Sequence, residues 1–396
     1  MLRSLFSGIS GLRANQTSLD VTGNNIANAS TVGFKSSQTV FQDTLSQVLR
    51  GASAPTEQGG GSNPAQVGLG VQVAAIRTNF QQGSAQLTNK STDMMISGDG
   101  FFITQRGGQT EYTRAGAFDF DGFGNLVTAD GAYVQGWMAD IDGTIDPTRP
   151  TTALTVQAGQ AMAPKVTTEG SFVGNLPADA PDGHVLTRQM DVYNATGVQR
   201  TVTVTYTKAA GVNEWAVEIT DPDAATTGNL TVQFDGAGRL TAPTGTVGLN
   251  GIQYDMTTLT GFANETTLAT GQQNGNTAGT LESFTLASDG TIIGTFSNGL
   301  KQPLGQVALA LFTNPNGLEK AGNSGYRATV NSGNVQIGTA GEGGLGLLAG
   351  GALEMSNVDL ANEFTQLVIS QRGFQASSRV ITTSDEVLQE LVNLKR

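Results

Sequence analysis

The side chains able to do covalent or metal chemistry are few. The chain has 396 residues with no cysteine and one histidine, His184, so thiolate nucleophiles, disulfides, CxxC zinc sites and iron–sulfur ligation are excluded. A Ser-His-Asp relay would have to pass through His184, which stands in the polar run Pro181-Asp182-Gly183-His184 and reads as a solvated turn. The run Gly341-Glu342-Gly343-Gly344-Leu345-Gly346 matches GxGxxG, with an acid at Asp359. A dinucleotide site needs a helix opening directly on the last glycine, and here Gly350-Gly351 intervene before any helix. Asp119-Phe120-Asp121-Gly122-Phe123-Gly124, with Asp130 further on, imitates a calcium loop, but Phe123 occupies a ligand position and the stretch reads as a turn between strands. Asp140, Asp142 and Asp146 read as an acidic surface turn. No catalytic, cofactor-binding or metal-ligating set is expected, nor is an ordinary hydrolase.

What the sequence does carry is two periodic ends. Leu2, Leu5, Ile9, Leu12, Gln16, Leu19, Gly23 and Ile26 follow one another at alternating spacings of three and four, the seam of a coiled-coil-capable helix. Leu360, Phe364, Leu367, Gln371, Phe374, Ser378, Ile381, Asp385, Leu388 and Val392 repeat the pattern near the other end. Ser356, Asn357 and Asp359 are N-cap types for that second helix, with Glu363 in its early turns and Lys395 and Arg396 suiting its far end. Asn24, Asn25 and Asn28 suit the end of the first helix, where amide side chains bond unpaired carbonyls. Polar and small interruptions weaken each seam as a two-stranded coil, so two terminal helices packed on a globular core is the plainer alternative.

Between the helices the pattern changes to alternating strands and glycine turns, as in 71–76 and 201–206, with Asn-Gly hairpin signals at 250, 298 and 316. Glycine contributes 53 residues and charged residues only 14 %, a turn-rich, mostly β composition. Net charge is -12 with no Lys/Arg cluster, which argues against nucleic acid and anionic membranes. The longest apolar stretch, Val307 to Phe312, is far too short to span a bilayer. No signal-peptide h-region forms near Leu5-Phe6, so a soluble chain, or one exported by an unconventional route, is expected. A linker is expected over Gly51–Gln66, where Pro55, Gly59, Gly60, Gly61 and Pro64 fall. The acidic, Thr-rich block from 146 to 290 reads as its own domain. Residues 67–145 must then pair with 291–350, giving domains nested one inside another.

Three long motifs make the chain recognisable. Ser10 to Gln16, Leu19 to Asn28 and Thr31-Val32-Gly33-Phe34-Lys35 closely resemble the N-terminal signature of bacterial flagellar rod and hook axial proteins. Asn357-Val358-Asp359-Leu360, Glu363-Phe364, Gln371-Arg372-Gly373-Phe374-Gln375-Ala376 and 381–385 resemble the matching C-terminal signature. Ser97 to Phe102 and Tyr112 to Phe118 resemble the inner β domain that hook and distal rod proteins share, and the 146–290 insertion is of the kind hook proteins carry.

The resemblance implies a multidomain α+β chain. Its terminal α-helices, 1–30 and 358–396, would form a coiled-coil-like inner domain, followed by a linker or long loop over 31–70. A mostly β inner domain (71–145 with 290–357) and an outer β domain (146–289) would nest between them. It implies a structural, non-enzymatic subunit of a homopolymeric tube, with a distal rod component as the alternative. Rod proteins would meet the tube at its proximal end and hook–filament junction proteins at its distal end. A hook cap and the flagellar type III export apparatus would act during assembly, without a cleaved Sec signal and without membrane insertion. Isolated helices of this length are marginal in water, so they would order when neighbouring copies bury them. Leu5, Ile9, Leu12, Leu19, Asn24, Asn25, Ile26, Asn28 and Phe34 are then the expected assembly residues at one end. Leu360, Phe364, Leu367, Gln371, Arg372, Phe374, Ile381 and Leu388 are those at the other. Gln16, Gln371 and Arg372 would fix register or face a channel. The 51–66 linker with Gly68-Leu69-Gly70 would make flexible contacts between copies.

Overall fold

The computed structural model describes residues 2–55, 60–157, 159–211, 213–221 and 226–393. Lys395, Arg396 and the linker residues 56–59 lie outside the described residues, as does the side chain of Leu2. The chain divides into two compact units. One holds 1–156, 285–293 and 303–396, and the other holds 157–284 and 294–302.

In the first unit both expected helices form, α1 (Leu2–Ala27) and α2 (Leu360–Asn393). Asp359 caps α2, its Oδ1 accepting the Ala361 and Asn362 N–H groups at 2.9 and 3.3 Å. At the other helix's end Asn28 donates its side-chain amide to the Asn24 carbonyl at 2.9 Å, and Thr31 N–H closes the turn on Asn28 O at 3.1 Å. The two helices run antiparallel, with Ser4, Ser18 and Asn25 of α1 facing Ser384, Ser370 and Glu363 of α2.

The segment 31–70 differs from the expected long loop. Strand β1 (Ser37–Asp43) pairs antiparallel with β4 (Val71–Thr78), and between them β2 (Ser46–Arg50) pairs with β3 (Ala65–Gly68). The Gly/Pro composition is concentrated in the connection between β2 and β3, while Thr39, Val40, Val48 and Val67 on either side have strand-forming side chains. The inner ladder lies against α1, the Thr39 hydroxyl reaching Ser18 Oγ at 3.3 Å and the Val71 N–H reaching Ser10 Oγ at 3.2 Å.

The β body of this unit closes sequence-distant strands on each other. Phe101–Arg106 pairs with Gln109–Thr113 and with Leu309–Leu311, Tyr133–Met138 pairs with residues 305–307, and Met94–Ser97 pairs with Leu347–Gly350. Phe101, Ile103, Tyr112, Trp137, Phe312 and Tyr326 fill its core, with Tyr112 and Phe312 edge to face at 4.8 Å. The second unit carries a five-stranded antiparallel meander through Val185–Tyr193, Gln199–Lys208, Glu214–Asp221, Thr226–Phe234 and Leu240–Ala242. Period-two alternation in 199–208 puts Val202, Val204, Tyr206 and Lys208 on the buried face.

The boundary of this second unit falls at 156/157 rather than at 146. Residues 152–154 belong to the first unit: Ala153 pairs with Gln135, and Leu154 is fully buried against Gly136. The other edge ends at Phe284, and 294–302 joins the second unit.

Candidate assembly surface

The contact between α1 and α2 is lined by small and polar residues, with Ile381 and Val380 of α2 packed over Gly8. Ser18 Oγ meets Ser370 Oγ at 2.9 Å, Ser4 Oγ meets Ser384 Oγ at 3.5 Å, and Asn25 donates to Glu363 Oε1 at 3.0 Å. Between these pairs the backbones come close. A Cβ on Gly11 would stand 2.9 Å from Ser377 Oγ, and one on Gly373 would stand 2.7 Å from Asn15 Oδ1. Each helical glycine costs about 1 kcal/mol relative to alanine, and here it is offset by that approach. Ser4, Gly8, Gly11, Asn15, Ser18, Thr22 and Asn25 alternate at spacings of four and three, and Glu363, Ser370, Ser377 and Ser384 repeat every seven. This is a heptad seam that hydrophobicity does not reveal, and sequence reasoning missed it.

Apart from Ile381 and Val380 over Gly8, the apolar positions flank that seam. Leu5, Leu12, Leu19, Ile26, Leu367, Phe374, Ile381 and Leu388 are half-buried. Ile9, Leu360 and Phe364 are exposed, and so are Phe6, Val368, Ile369, Val380 and Val387, which the sequence reading left out. Phe6, at 66 %, and Ile369, at 58 %, face solvent in the isolated chain. Gln16, Asn24, Gln371 and Arg372 are exposed outside the seam, with Arg372 donating to Gln375 Oε1 at 3.3 Å. Phe34 is half-buried under the Lys320 ammonium, 5.2 Å from its ring centroid.

Asn25, buried at 1 %, is the polar hinge of the pair. Its side-chain amide donates to Ser37 O at 2.7 Å as well as to Glu363, and its carbonyl accepts the Ser37 N–H at 3.0 Å. Partial burial lifts the Glu363 carboxyl above the usual carboxylate range, opposed by the Asn25 hydrogen bond and reinforced by Asp359.

The other chemical candidates are turn residues. The His184 N–H bonds Pro181 O at 3.0 Å, and its ring lies edge-on 6.5 Å from Trp215. Asp121 accepts the Phe123 and Asn125 N–H groups and the Asn125 amide, which holds its carboxyl below the usual range. Asp146 is likewise held low, by Thr148, and Asp140 pairs with Arg149 at 3.1 Å. The glycine run 341–346 closes a turn ahead of Leu347–Gly350 rather than opening a helix. Among the described residues no group of three or more His, Cys, Asp or Glu is placed to hold a metal, and no helix is long and apolar enough to cross a membrane.

Comparison with known proteins follows the same map. Residues 5–35 match the model described as flagella basal body rod protein, 95–173 the flagellar hook protein FlgE/F/G D1 domain, and 349–394 the flagellar basal body rod FlgEFG protein C-terminal. The flagellar hook protein FlgE of Borreliella burgdorferi is 39 % identical over 443 aligned residues, covering 100 % of both chains. The chain belongs to the flagellar hook protein family. The family also extends towards the rod: the flagellar basal-body rod protein FlgG of Bacillus subtilis is 33 % identical over 397 aligned residues, again covering 100 % of both chains. The crystal structure of the Helicobacter pylori flagellar hook protein FlgE2 shares the fold, with a TM-score of 0.52 at 15 % identity, covering 68 % of this chain and 99 % of that one. As a member of the hook family the chain is a structural subunit of the bacterial flagellum, and its assembly is polymeric.

Proposed function

We propose that this subunit builds a curved tube in which α1 and α2 of neighbouring copies cover one another's apolar stripes, and that its role is mechanical rather than catalytic. The observation that supports this is the pairing of a small-residue seam inside the chain with leucine, phenylalanine and valine stripes left outside it. Contiguous apolar surface on a helix marks a contact still to be made, and identical copies joined head to tail through a rotation that does not close make an open helical polymer. The β2–β3 ribbon is a second contact between copies, carrying exposed Leu45, Val48 and Leu49 on a two-stranded ladder that is marginal by itself. Export through the flagellar type III apparatus to the cell exterior, rod proteins at one end, junction proteins at the other and a cap during growth complete the reading.

The likeness to the Bacillus subtilis rod protein favours one alternative, a distal rod component. Immunogold microscopy of detached flagella, with antibody raised against 150–285, separates the two. Label on a short curved segment between envelope and filament is the expected result. Label confined to a straight shaft within the envelope would establish the rod.

A further inference from the structure

Four stretches of chain remote in sequence converge where α1 ends and α2 begins. They are 33–37, leaving α1; 79–84, following β4; 113–115; and 354–357, entering α2. Neutral hydrogen bonds stitch them together. Gly33 N–H donates to Glu354 O at 2.8 Å, Ser36 N–H to Asn357 Oδ1 at 2.8 Å, the Asn357 amide to Asn79 O at 2.8 Å, and Met355 N–H to Ser84 O at 2.9 Å. Gly33 has φ +67, and a Cβ there would lie 2.4 Å from the Ala115 nitrogen.

At the centre of this knot is a set of ions without access to water. Lys35 and Glu354 are fully buried and Arg114 is 2 % exposed. Glu354 Oε1 accepts Lys35 Nζ at 2.6 Å and the Gly83 N–H at 2.8 Å, and Oε2 faces Arg114 Nη1 at 3.4 Å. The Lys35 ammonium also donates to Gln81 O at 2.7 Å, and the Arg114 guanidinium lies 5.4 Å from the Phe101 ring centroid in the body core. Burial holds both cations below their ordinary pKa values, with Glu354 opposing. A buried ion is tolerated only while its partners are in place, and well-packed apolar residues of the same volume generally stabilise at least as well. Stability alone therefore does not explain the arrangement. Geometry does, because the Glu354 carboxylate meets Lys35, Arg114 and the Gly83 N–H together only when all four stretches are docked.

We propose that Lys35, Arg114 and Glu354 form an ionic lock that fixes the base of the helix pair to the β body, so that a load applied to the helices reaches the sheets through these positioning residues. The load rests on the hook reading; the lock itself is a property of the free chain. Hydrogen exchange on the full-length, unassembled protein tests it. In Glu354→Gln the amides of Gly33, Ser36, Gly83 and Met355 should exchange at least tenfold faster than in the parent, while strand amides across 101–113 change less than twofold. The triple variant K35M/R114M/E354M, with similar volume and no ions, should keep the body slow and the base fast, because Gly83 N–H loses its acceptor and Gln81 O keeps only the Asn357 amide. Base amides as slow as the parent's in either variant would overturn the lock. So would a loss spread evenly over base and body, or failure of both variants to fold, since the ions would then be ordinary core. A protein with the lock intact that labels no flagellar structure would instead count against the hook reading and leave the lock standing.

Discussion

Serine facing serine is a weak adhesive. The Ser18–Ser370 pair at 2.9 Å has the net worth of an ordinary hydrogen bond, about 1 kcal/mol, and the glycines beside it bury little apolar surface. Their value lies in register, since a hydroxyl one turn out of place finds no partner. Glu363 is the one ionisable group in this seam, and its carboxyl is raised by burial. A carboxyl whose folded pKa exceeds its unfolded value contributes stability at acid pH that is lost as pH rises through the folded value. Glu363→Gln keeps an acceptor for Asn25 and removes the charge. The helix signal near 222 nm in circular dichroism should therefore survive to higher denaturant in the variant than in the parent at neutral pH, and the two should coincide once the parent's carboxyl is protonated. A variant weaker than the parent at neutral pH would show that the charge strengthens the Asn25 bond more than burial penalises it.

At the scale of elements the apolar stripes and the seam divide the labour. Phe364 and Val368 are half-exposed on α2. F364S/V368S should leave the isolated chain's melting curve unchanged and raise the critical concentration for polymerisation about tenfold or more, about 1.4 kcal/mol per added subunit. Sedimentation of polymer against subunit concentration reads it, and an unchanged critical concentration would remove the stripe from the interface. The two helices were legible because leucine and phenylalanine recur at alternating three and four, and Asp359 announces the start of the second. The seam between them was not, because hydrophobic periodicity is the signal one reads first and glycine, serine and asparagine carry none of it. The strands β1 to β3 were hidden in the same way, while the alternation at 71–76 showed β4: Gly59-Gly60-Gly61 dominates the composition of 51–66 and masks the β-formers on both flanks.

For the molecule as a whole, two cores imply two transitions. The second unit is organised around Trp215, fully buried with Tyr206, Phe172 and Tyr254. Trp215→Ala should destabilise it by about 3–5 kcal/mol and shift one calorimetric transition downwards while the transition of the first unit, read through Trp137 fluorescence, stays put. A single transition that moves in concert would show that the units melt as one. The second unit interrupts the first in sequence, and matching motifs at both ends with an acidic stretch between them are the features of the sequence that point to such an insertion. The edge at 156 was not readable. Asp140, Asp142 and Asp146 mark a surface turn, and only the burial of Leu154 against Gly136 shows that the chain goes back into the first unit before leaving it.

The contrast between seam and stripes also sets how temperature acts. Pairing α1 with α2 leaves the apolar side chains of both helices at most half-buried and rests also on hydroxyls, amides and glycines, so its heat-capacity change is the smaller and its strength varies less between cold and warm. Covering Phe6, Ile9, Phe364 and Ile369 removes a great deal, and that association weakens on cooling. Chilled subunits should thus keep their internal pairing while loosening their grip on one another, so the same two helices are cold-tolerant inwardly and cold-labile outwardly.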